Sequence, residues 1–267
     1  MNGPPDEVLA AFGATQPPRL LEGGMGRTWL SGEVVLKPVA DESEHAWVCA
    51  VFDAWTAGDV AVPRPLSVQG TWTFRGWGAH LLVPGSTARA GDDPDWFHHV
   101  HDAFHEAISD LHRPGFLDDR DDAWSYGDRV AWEGVGLRGA PRTIALMRRA
   151  LSLMEPVDLP SQVIHGDLCV NVLRDGNRAG VIDWPAYHRP RDWALAIVAS
   201  DAICWEDADP ALLDAWDRPS WLQLVLRAAV YRMGTRAFNE AAGVAAEEED
   251  GYITGRGRLL DLVEQRL

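Results

Sequence analysis

The sequence has almost no lysine. Of its 24 basic residues only Lys37 is a lysine, and all the others are arginine. Arginine is a poor substitute where a compact ammonium on a flexible stem is needed, so Lys37 stands out as a candidate functional residue. A GC-rich coding sequence that kept one lysine by chance would give the same count, so the count alone does not decide between these explanations.

Cysteines are few, and long apolar runs are absent. The three cysteines are far apart and lack the spacing of a metal knuckle, which predicts free thiols in a reducing cytoplasm; they are Cys49, Cys169 and Cys204. No stretch approaches the ~20 apolar residues of a membrane span. The N-terminal residues have neither the basic region nor the apolar core of a secretory signal. We therefore expect a cytoplasmic protein without a membrane partner.

A basic surface is missing as well. The formal net charge is −16, and no basic stripe of the kind that binds nucleic acid is present. Solubility explains the acidic charge most simply, and attraction of a cationic ligand is the functional alternative. The charge predicts that nucleic acid is not a partner.

The residue patterns divide the chain into a β-rich part and a helical part. With 267 residues, 46% of them hydrophobic, the chain can fill one large domain or two lobes. Alternating and turn patterns predict strands over 28–30, 34–39, 66–69, 71–75 and 78–83, with one helix from Asp41 to about Gly58. Helical spacing predicts helices over 95–112, 141–154, 191–203, 209–216 and 220–240, and another near the C-terminus. We predict an N-terminal lobe over 1–83, a linker over 84–95 and a helical lobe over 96–267.

The most informative motif is His165-Gly166-Asp167-Leu168-Cys169-Val170-Asn171, followed by Val181-Ile182-Asp183-Trp184. An aspartate can accept the proton of an attacking hydroxyl, and an asparagine with a second aspartate can hold the Mg²⁺ of a bound nucleotide. The intervening Asp175-Gly176 predicts a hairpin turn that returns Asp183 to the neighbourhood of Asn171. The pattern therefore indicates phosphoryl transfer.

With a strand lysine ahead of a linker and a helical half, these motifs resemble the aminoglycoside phosphotransferase family of small-molecule kinases, in a branch with a shortened catalytic loop. The resemblance implies an α+β, bilobal, protein-kinase-like fold. It implies Asp167 as the catalytic base and Asn171 and Asp183 as Mg²⁺ ligands. The donor would be ATP or GTP, and the acceptor a hydroxyl of a small molecule, such as an aminoglycoside or nucleoside antibiotic. The sequence has no D-F-G and no A-P-E segment, so a protein substrate is not expected.

The resemblance also implies a nucleotide site in the N-terminal lobe. Lys37 would contact the phosphates and pair with Glu44, with Glu42 as the fallback partner. Alternatively, Asp41 and Glu44 form a capping box, which would commit Glu44 to the backbone. The backbone at Gly24 and Gly26 could cover phosphates, although the spacing is not G-x-G-x-x-G and a tight turn explains it equally. Leu82 and Val83 fall where the hinge would meet the nucleotide base.

One departure from the kinase signature supports a second hypothesis. Four residues separate the Asp from the Asn in that signature, whereas three separate Asp167 from Asn171. The tighter loop leaves open a catalytically weak, nucleotide-binding regulatory or scaffold protein.

The remaining polar and aromatic residues of the helical half have plainer interpretations. We expect His165 to hold the loop by hydrogen bonds, and Asp192 to cap a helix or brace the loop. His101 and His105 lack the H-E-x-x-H pattern, so a solvated or interlobe face is expected rather than a zinc site. Tryptophans such as Trp205 lie near acidic residues and could hold a cationic or sugar ligand, although core packing is the usual role.

Overall fold

A computed structural model of the chain describes residues 3–22, 26–56, 58–244 and 249–267. The chain forms two compact units. The first takes Met1–Thr87 and Asn171–Ala186, and the second takes Ala88–Val170 and Tyr187–Leu267. A segment from the second half of the sequence therefore belongs to the first unit.

The helices and strands are these, in chain order: α1 Asp6–Ala11, β1 Arg19–Leu20, β2 Trp29–Ser31, β3 Val34–Pro38, α2 Glu42–Asp53, β4 Val60–Ala61, β5 Thr73–Phe74, β6 Trp77–Leu81, β7 Ser86–Thr87, α3 Pro94–Ala107, α4 Ala123–Glu133, α5 Pro141–Ser152, β8 Ser161–His165, β9 Val172–Asp175, β10 Arg178–Val181, β11 Ala186–Pro190, α6 Asp192–Trp205, α7 Trp221–Ala241 and α8 Glu249–Glu264.

The first unit is built on two sheets. One has the order β1-β2-β3-β6-β5 with antiparallel neighbours, and the other has the order β4-β10-β9-β7. The side chains of β3 alternate between the two faces of the sheet, as strand geometry requires. Val34 and Leu36 join Val8 and Phe12 of the N-terminal segment in an apolar core. Lys37 consequently projects from the opposite face.

The predicted β2–β3 hairpin is confirmed, whereas the prediction of two full strands over 66–69 and 71–75 is wrong. Only β5 forms there, with an isolated bridge between Val68 and Thr71. Gln69 and Gly70 both have positive φ angles, of 53° and 82°, and turn the backbone within two residues. Such a turn joins Val68 to Thr71 as in a hairpin, but the pairing ends at this bridge, and Thr73 and Phe74 pair with β6 instead.

In the second unit, helices pack around α6. Every side chain of α6 from Trp193 to Ile203 is buried, which is typical of a helix enclosed on all sides. Helix α7 packs against α4, α5 and α6, and β8 pairs with β11. The predicted helix over 209–216 is a 3₁₀ helix, Pro210–Asp214, and α4 was not predicted. No described helix has both the length and the apolar composition needed to cross a bilayer.

Candidate active site

In the first unit, the only lysine of the chain forms an ion pair with a motif aspartate. Nζ of Lys37 donates to Oδ1 of Asp183, 146 residues later in the sequence. The two side chains are 33% and 53% exposed, so both are accessible to a ligand. This pair brings together the predicted phosphate-binding residue and one predicted Mg²⁺ ligand.

Helix α2 holds the segment that carries Asp183. The ring of Trp184 is 4% exposed and packs against Trp47 and Phe52 of α2, with centroids 5.1 and 5.5 Å apart. Oε1 of Glu44 accepts a hydrogen bond from the backbone N–H of Ala186 at 3.3 Å. An anchored tryptophan and a bound backbone on either side of the turn restrict the positions that Asp183 can take.

Contacts at the start of α2 concern the two alternatives for Glu44, which are a pair with Lys37 and a capping box with Asp41. Oδ1 of Asp41 accepts hydrogen bonds from the N–H groups of Ser43 and Glu44, at 2.8 and 2.9 Å, as an N-cap residue does. The carboxylate of Glu44, however, contacts the backbone at Ala186. Glu44 therefore links α2 to the segment after Asp183, a contact that the sequence did not indicate.

The predicted hairpin brings the two candidate metal ligands close in the fold. β9 and β10 pair antiparallel, with Val172 opposite Val181. The N–H of Ile182 donates to the carbonyl of Asn171 at 2.9 Å, so Asp183 follows directly after the residue paired with Asn171. Asp183 has a φ of 50°, a left-handed conformation that aspartate tolerates better than most residues. Carboxylate and amide oxygens are hard ligands of the kind Mg²⁺ prefers, so this pair fits the metal.

The other predicted nucleotide-binding residues are placed as follows. Leu82 is 44% exposed, whereas Val83 is 7% exposed and packs against β10, where a Cβ at Gly180 would lie 2.6 Å from its Cγ1. Gly26 has a φ of 67° and an open environment. Gly24 lies outside the described residues.

In the second unit, hydrogen bonds to the rings of buried histidines hold the loop that carries Asp167. The N–H of Asp167 donates to Nδ1 of His165 at 3.1 Å. The N–H of His165 donates to Nε2 of His105 at 3.2 Å, and Nδ1 of His105 contacts the carbonyl of His101 at 2.8 Å. The prediction that His165 holds the loop by hydrogen bonds is therefore confirmed.

These contacts determine the protonation of His105. Because its Nε2 accepts from a backbone N–H, its proton must lie on Nδ1, which donates to the carbonyl of His101. Burial, together with the neighbouring His101, lowers the pKa of His105 well below its usual value, so the ring is neutral. His101 and His105 are both fully buried, so the expectation of a solvated face is wrong for these two residues. They lie beneath the loop instead.

A buried ionic network, which the sequence did not reveal, supports the carboxylate of Asp167. Arg232 of α7 donates to Oδ1 of Asp167 at 2.5 Å, and its Nε donates to Asp201 of α6 at 2.9 Å. Arg256 of α8 binds the other oxygen of Asp201 at 3.2 Å and Oγ of Ser200 at 2.6 Å. Arg232 is 8% exposed and Asp201 is fully buried. One sequence feature could have indicated this network: a charged residue lies inside an apolar helical stretch, which is rare unless the charge is paired.

A second polar cluster lies at the start of α6. Ligand atoms of His101, Asp102 and Asp192 lie within 4.8 Å of one another, close enough to hold a metal ion. Two guanidinium groups already occupy that cluster, since Arg218 and Arg191 lie 2.6 and 3.3 Å from Oδ1 of Asp102. Arginine thus neutralises these carboxylates, which argues against a metal. Asp192 is the first residue of α6 and not its N-cap, which is Arg191, so its predicted capping role is wrong.

The loop cysteine is not a candidate nucleophile. Cys169 is 3% exposed, and burial raises the pKa of its thiol strongly. A thiol that does not ionise is a poor nucleophile. All three cysteines are free, as predicted.

Comparisons with known proteins identify the fold. No protein-family profile and no curated protein matches the sequence. Among solved structures, the chain is similar to a thermostable mutant of aminoglycoside phosphotransferase APH(4)-Ia (TM-score 0.61, 14% identity, 97% of this chain and 98% of that one covered). It is similar to a choline/ethanolamine kinase family protein from Mesorhizobium loti (0.62, 20%, 97% and 94%) and to choline kinase LicA from Streptococcus pneumoniae (0.60, 11%, 97% and 97%).

The chain therefore has the α+β, bilobal, protein-kinase-like fold of small-molecule phosphotransferases, and the predicted fold class is confirmed. The resemblance noted in the sequence holds along nearly the whole chain at the level of fold.

Proposed function

We propose that this protein is a nucleotide-dependent phosphotransferase that transfers the γ-phosphate of ATP or GTP to a hydroxyl of a small molecule. The ion pair between Lys37 and Asp183 is the observation that carries the proposal. It joins the lysine that would bind phosphate to the aspartate that would bind the metal, and kinases use this combination to position a nucleotide. The cysteines, all free, fit a cytoplasmic location.

Each residue then has a role. Asn171 and Asp183 would hold Mg²⁺, which, when bound, would neutralise charge on the nucleotide phosphates. Lys37 would contact the phosphates, and Glu44 would keep the Asp183 segment on α2. Leu82 and Val83 would lie against the base, and Gly24 and Gly26 would lie over the phosphates. Asp167 would orient the acceptor hydroxyl and take its proton.

The resemblance in fold supports a proposal for the acceptor class. A related structure is a ternary complex of a thermostable mutant of APH(4)-Ia with ADP and hygromycin B, and another is described as macrolide 2'-phosphotransferase MphH from Brachybacterium faecium. Both names refer to antibiotics or to enzymes that modify them. We therefore propose an antibiotic or related metabolite, of aminoglycoside or nucleoside type, in resistance or self-protection.

The test is a panel of hydroxylated small molecules, incubated with ATP or GTP and Mg²⁺ and analysed by mass spectrometry for the gain of one phosphate. Asp167→Ala should abolish transfer while calorimetry shows nearly unchanged nucleotide binding. Asp158→Ala, at an exposed position of the same unit, is the matched control and should remain active. Full turnover by Asp167→Ala would refute the assignment.

The tightened loop between Asp167 and Asn171 supports the alternative of a weakly catalytic nucleotide-binding protein. Mg²⁺-dependent nucleotide binding without any phosphorylated product across the panel would favour that alternative. Stoichiometric phosphorylation of any acceptor would exclude it.

A further inference from the structure

The second unit contains a cavity beside the residue that holds Asp167. It has a volume of about 270 Å³ and is lined by Trp124, Trp205, Tyr252, Arg232, Arg236 and Asn239, among others. Arg232 lines the cavity and also donates to Oδ1 of Asp167. Arg232 alone would thus separate a molecule in the cavity from the proposed base, Asp167. The volume is close to the lower end of the range of small-molecule sites.

Two walls of the cavity are exposed indole rings. Trp205 is 54% exposed and Trp124 is 41% exposed, although large aromatic side chains usually bury most of their surface. A planar ring that stacked on these indoles would remove apolar surface from water on both sides of the contact.

The aromatic faces already interact with cations of the protein itself. The guanidinium carbons of Arg256 and Arg232 lie 4.6 and 5.4 Å from the ring centroid of Trp205. Arg236 lies 4.3 Å from the ring of Tyr252. A cationic ligand at Trp205 or Tyr252 would therefore meet a ring that already attracts a guanidinium group of the protein, and it would also be repelled by the arginines.

The charges around the cavity are balanced by internal pairs. Arg232 binds Asp167 and Asp201, Arg256 binds Asp201, and Nε of Arg236 binds Glu240 at 2.7 Å. None of the described residues that line the cavity is an aspartate or a glutamate. A ligand ammonium would lose its hydration there without gaining a carboxylate partner among these described lining residues, which is costly.

We infer that this cavity is the acceptor site and that it takes a hydroxylated molecule with a planar ring and no positive charge. The inference rests on the proposed function and narrows it. Of the two antibiotic types considered, it favours the nucleoside type over the polycationic aminoglycosides. It also means that the net charge of the whole chain, −16, does not predict the charge of the residues around this cavity.

Two matched probes test the inference by binding alone. Phenyl β-D-glucopyranoside has a ring, hydroxyls and no charge, and its 6-amino-6-deoxy analogue replaces one hydroxyl with an ammonium. Saturation-transfer NMR titrations of the full chain should show the neutral probe binding at least ~10-fold more tightly. Trp205→Ala should weaken the neutral probe by about 10-fold, the loss expected when a stacking face is removed. Trp72→Ala, in the first unit, should leave its affinity unchanged.

A charge variant separates electrostatics from shape. Arg236→Gln should reduce the difference in affinity between the two probes by strengthening the ammonium probe relative to the neutral one, an effect that a purely structural role of Arg236 would not produce. Equal or tighter binding of the ammonium probe to the unmodified chain, unchanged neutral binding in Trp205→Ala, or no binding of either probe would each overturn the inference. Because no turnover is needed, these outcomes are independent of the Asp167→Ala test, which decides the proposed function by itself.

Discussion

Arg232 donates to Asp167 from a guanidinium that is itself held by a fully buried carboxylate, Asp201. The proposed base therefore contacts a cation whose position is set by three helices of the second unit. A rigid donor next to a catalytic carboxylate orients that carboxylate before any substrate binds. The conformation of the loop that carries Asp167 thus depends on residues that lie more than 30 positions away from it in the sequence.

Removal of Arg232 should be costly. Arg232→Ala leaves the buried carboxylate of Asp201 with Arg256 as its remaining arginine partner among the described contacts. Loss of one member of a buried ion pair typically costs about 3–5 kcal/mol. We expect a loss near the lower figure in the free energy of unfolding, measured by urea titration, because Arg256 keeps part of the compensation.

An exposed ion pair of the same unit provides the control. Arg142 contacts Asp250 at 2.6 Å, with side chains that are 51% and 89% exposed. Exposed pairs contribute about 0–1 kcal/mol, so Arg142→Ala should change the free energy of unfolding by less than about 1 kcal/mol. Equal losses in the two variants would show that the Arg232 network does not stabilise the unit.

Lys37 should be needed for nucleotide affinity and should not be replaceable by arginine. Lys37→Ala removes a charge-assisted contact worth about 1.5–3 kcal/mol, which corresponds to roughly 10–100-fold weaker binding of Mg²⁺–nucleotide by calorimetry. Lys37→Arg keeps the charge but changes its shape and reach, so it should recover only part of the affinity. Full recovery would show that charge alone matters at this position.

Local patterns predicted the parts of the site that lie close together in sequence. The turn at Asp175-Gly176 could be predicted because this residue pair is typical of hairpin turns. Such turns need a positive φ, which glycine adopts easily, and Gly176 has a φ of 60°. The resulting hairpin brought Asp183 next to the residue paired with Asn171. The contact of Lys37 with Asp183 was not predicted, because the family resemblance implied Glu44 as the partner of Lys37 and nothing in either local sequence refers to the other.

The unpredicted parts depend on packing between distant segments. Arg232 and Asp167 are 65 residues apart, and no spacing rule relates them. Helix α4 was missed because Gly127 in its centre lowers helix propensity, by ~1 kcal/mol relative to alanine. The compensation comes from α7, whose backbone approaches Gly127 closely. His101 and His105 were assigned to a solvated or interlobe face because the sequence of their own helix does not reveal the loop that covers them.

The α4–α7 contact gives a prediction of its own. A Cβ at Gly127 would lie 2.3 Å from the carbonyl oxygen of Tyr231 and 2.8 Å from Oγ1 of Thr235. Alanine favours a helix by ~1 kcal/mol over glycine, but overpacking against backbone costs about 1–3 kcal/mol or more. Gly127→Ala should therefore lower the melting temperature, as measured by calorimetry. Gly136→Ala, where a Cβ would meet nothing within 4 Å, is the control and should have little effect. A stabilised Gly127→Ala would mean that the two helices can move apart easily.

Finally, the buried neutral His105 should make the protein less stable in mild acid. Burial lowers its pKa well below 6.5 in the folded state, whereas the unfolded chain takes up a proton near pH 6.5. The unfolded state therefore binds more protons, and stability falls as the pH drops below about 6.5. This contribution is therefore lost as the pH falls from 7 to 5.

Other groups act in the same direction, so the test of His105 is a difference between variants. Burial also lowers the pKa of His80, to about 4, and its effect remains when His105 is replaced. Urea titrations at pH 7 and pH 5 should show a smaller loss of stability in His105→Gln than in the unmodified chain. His99→Gln, at an exposed position of the same helix, should keep the full loss. If His105→Gln lost as much stability as the unmodified chain, His105 would not be held neutral beneath the loop that carries Asp167, and the tautomer deduced from its hydrogen bonds would be wrong.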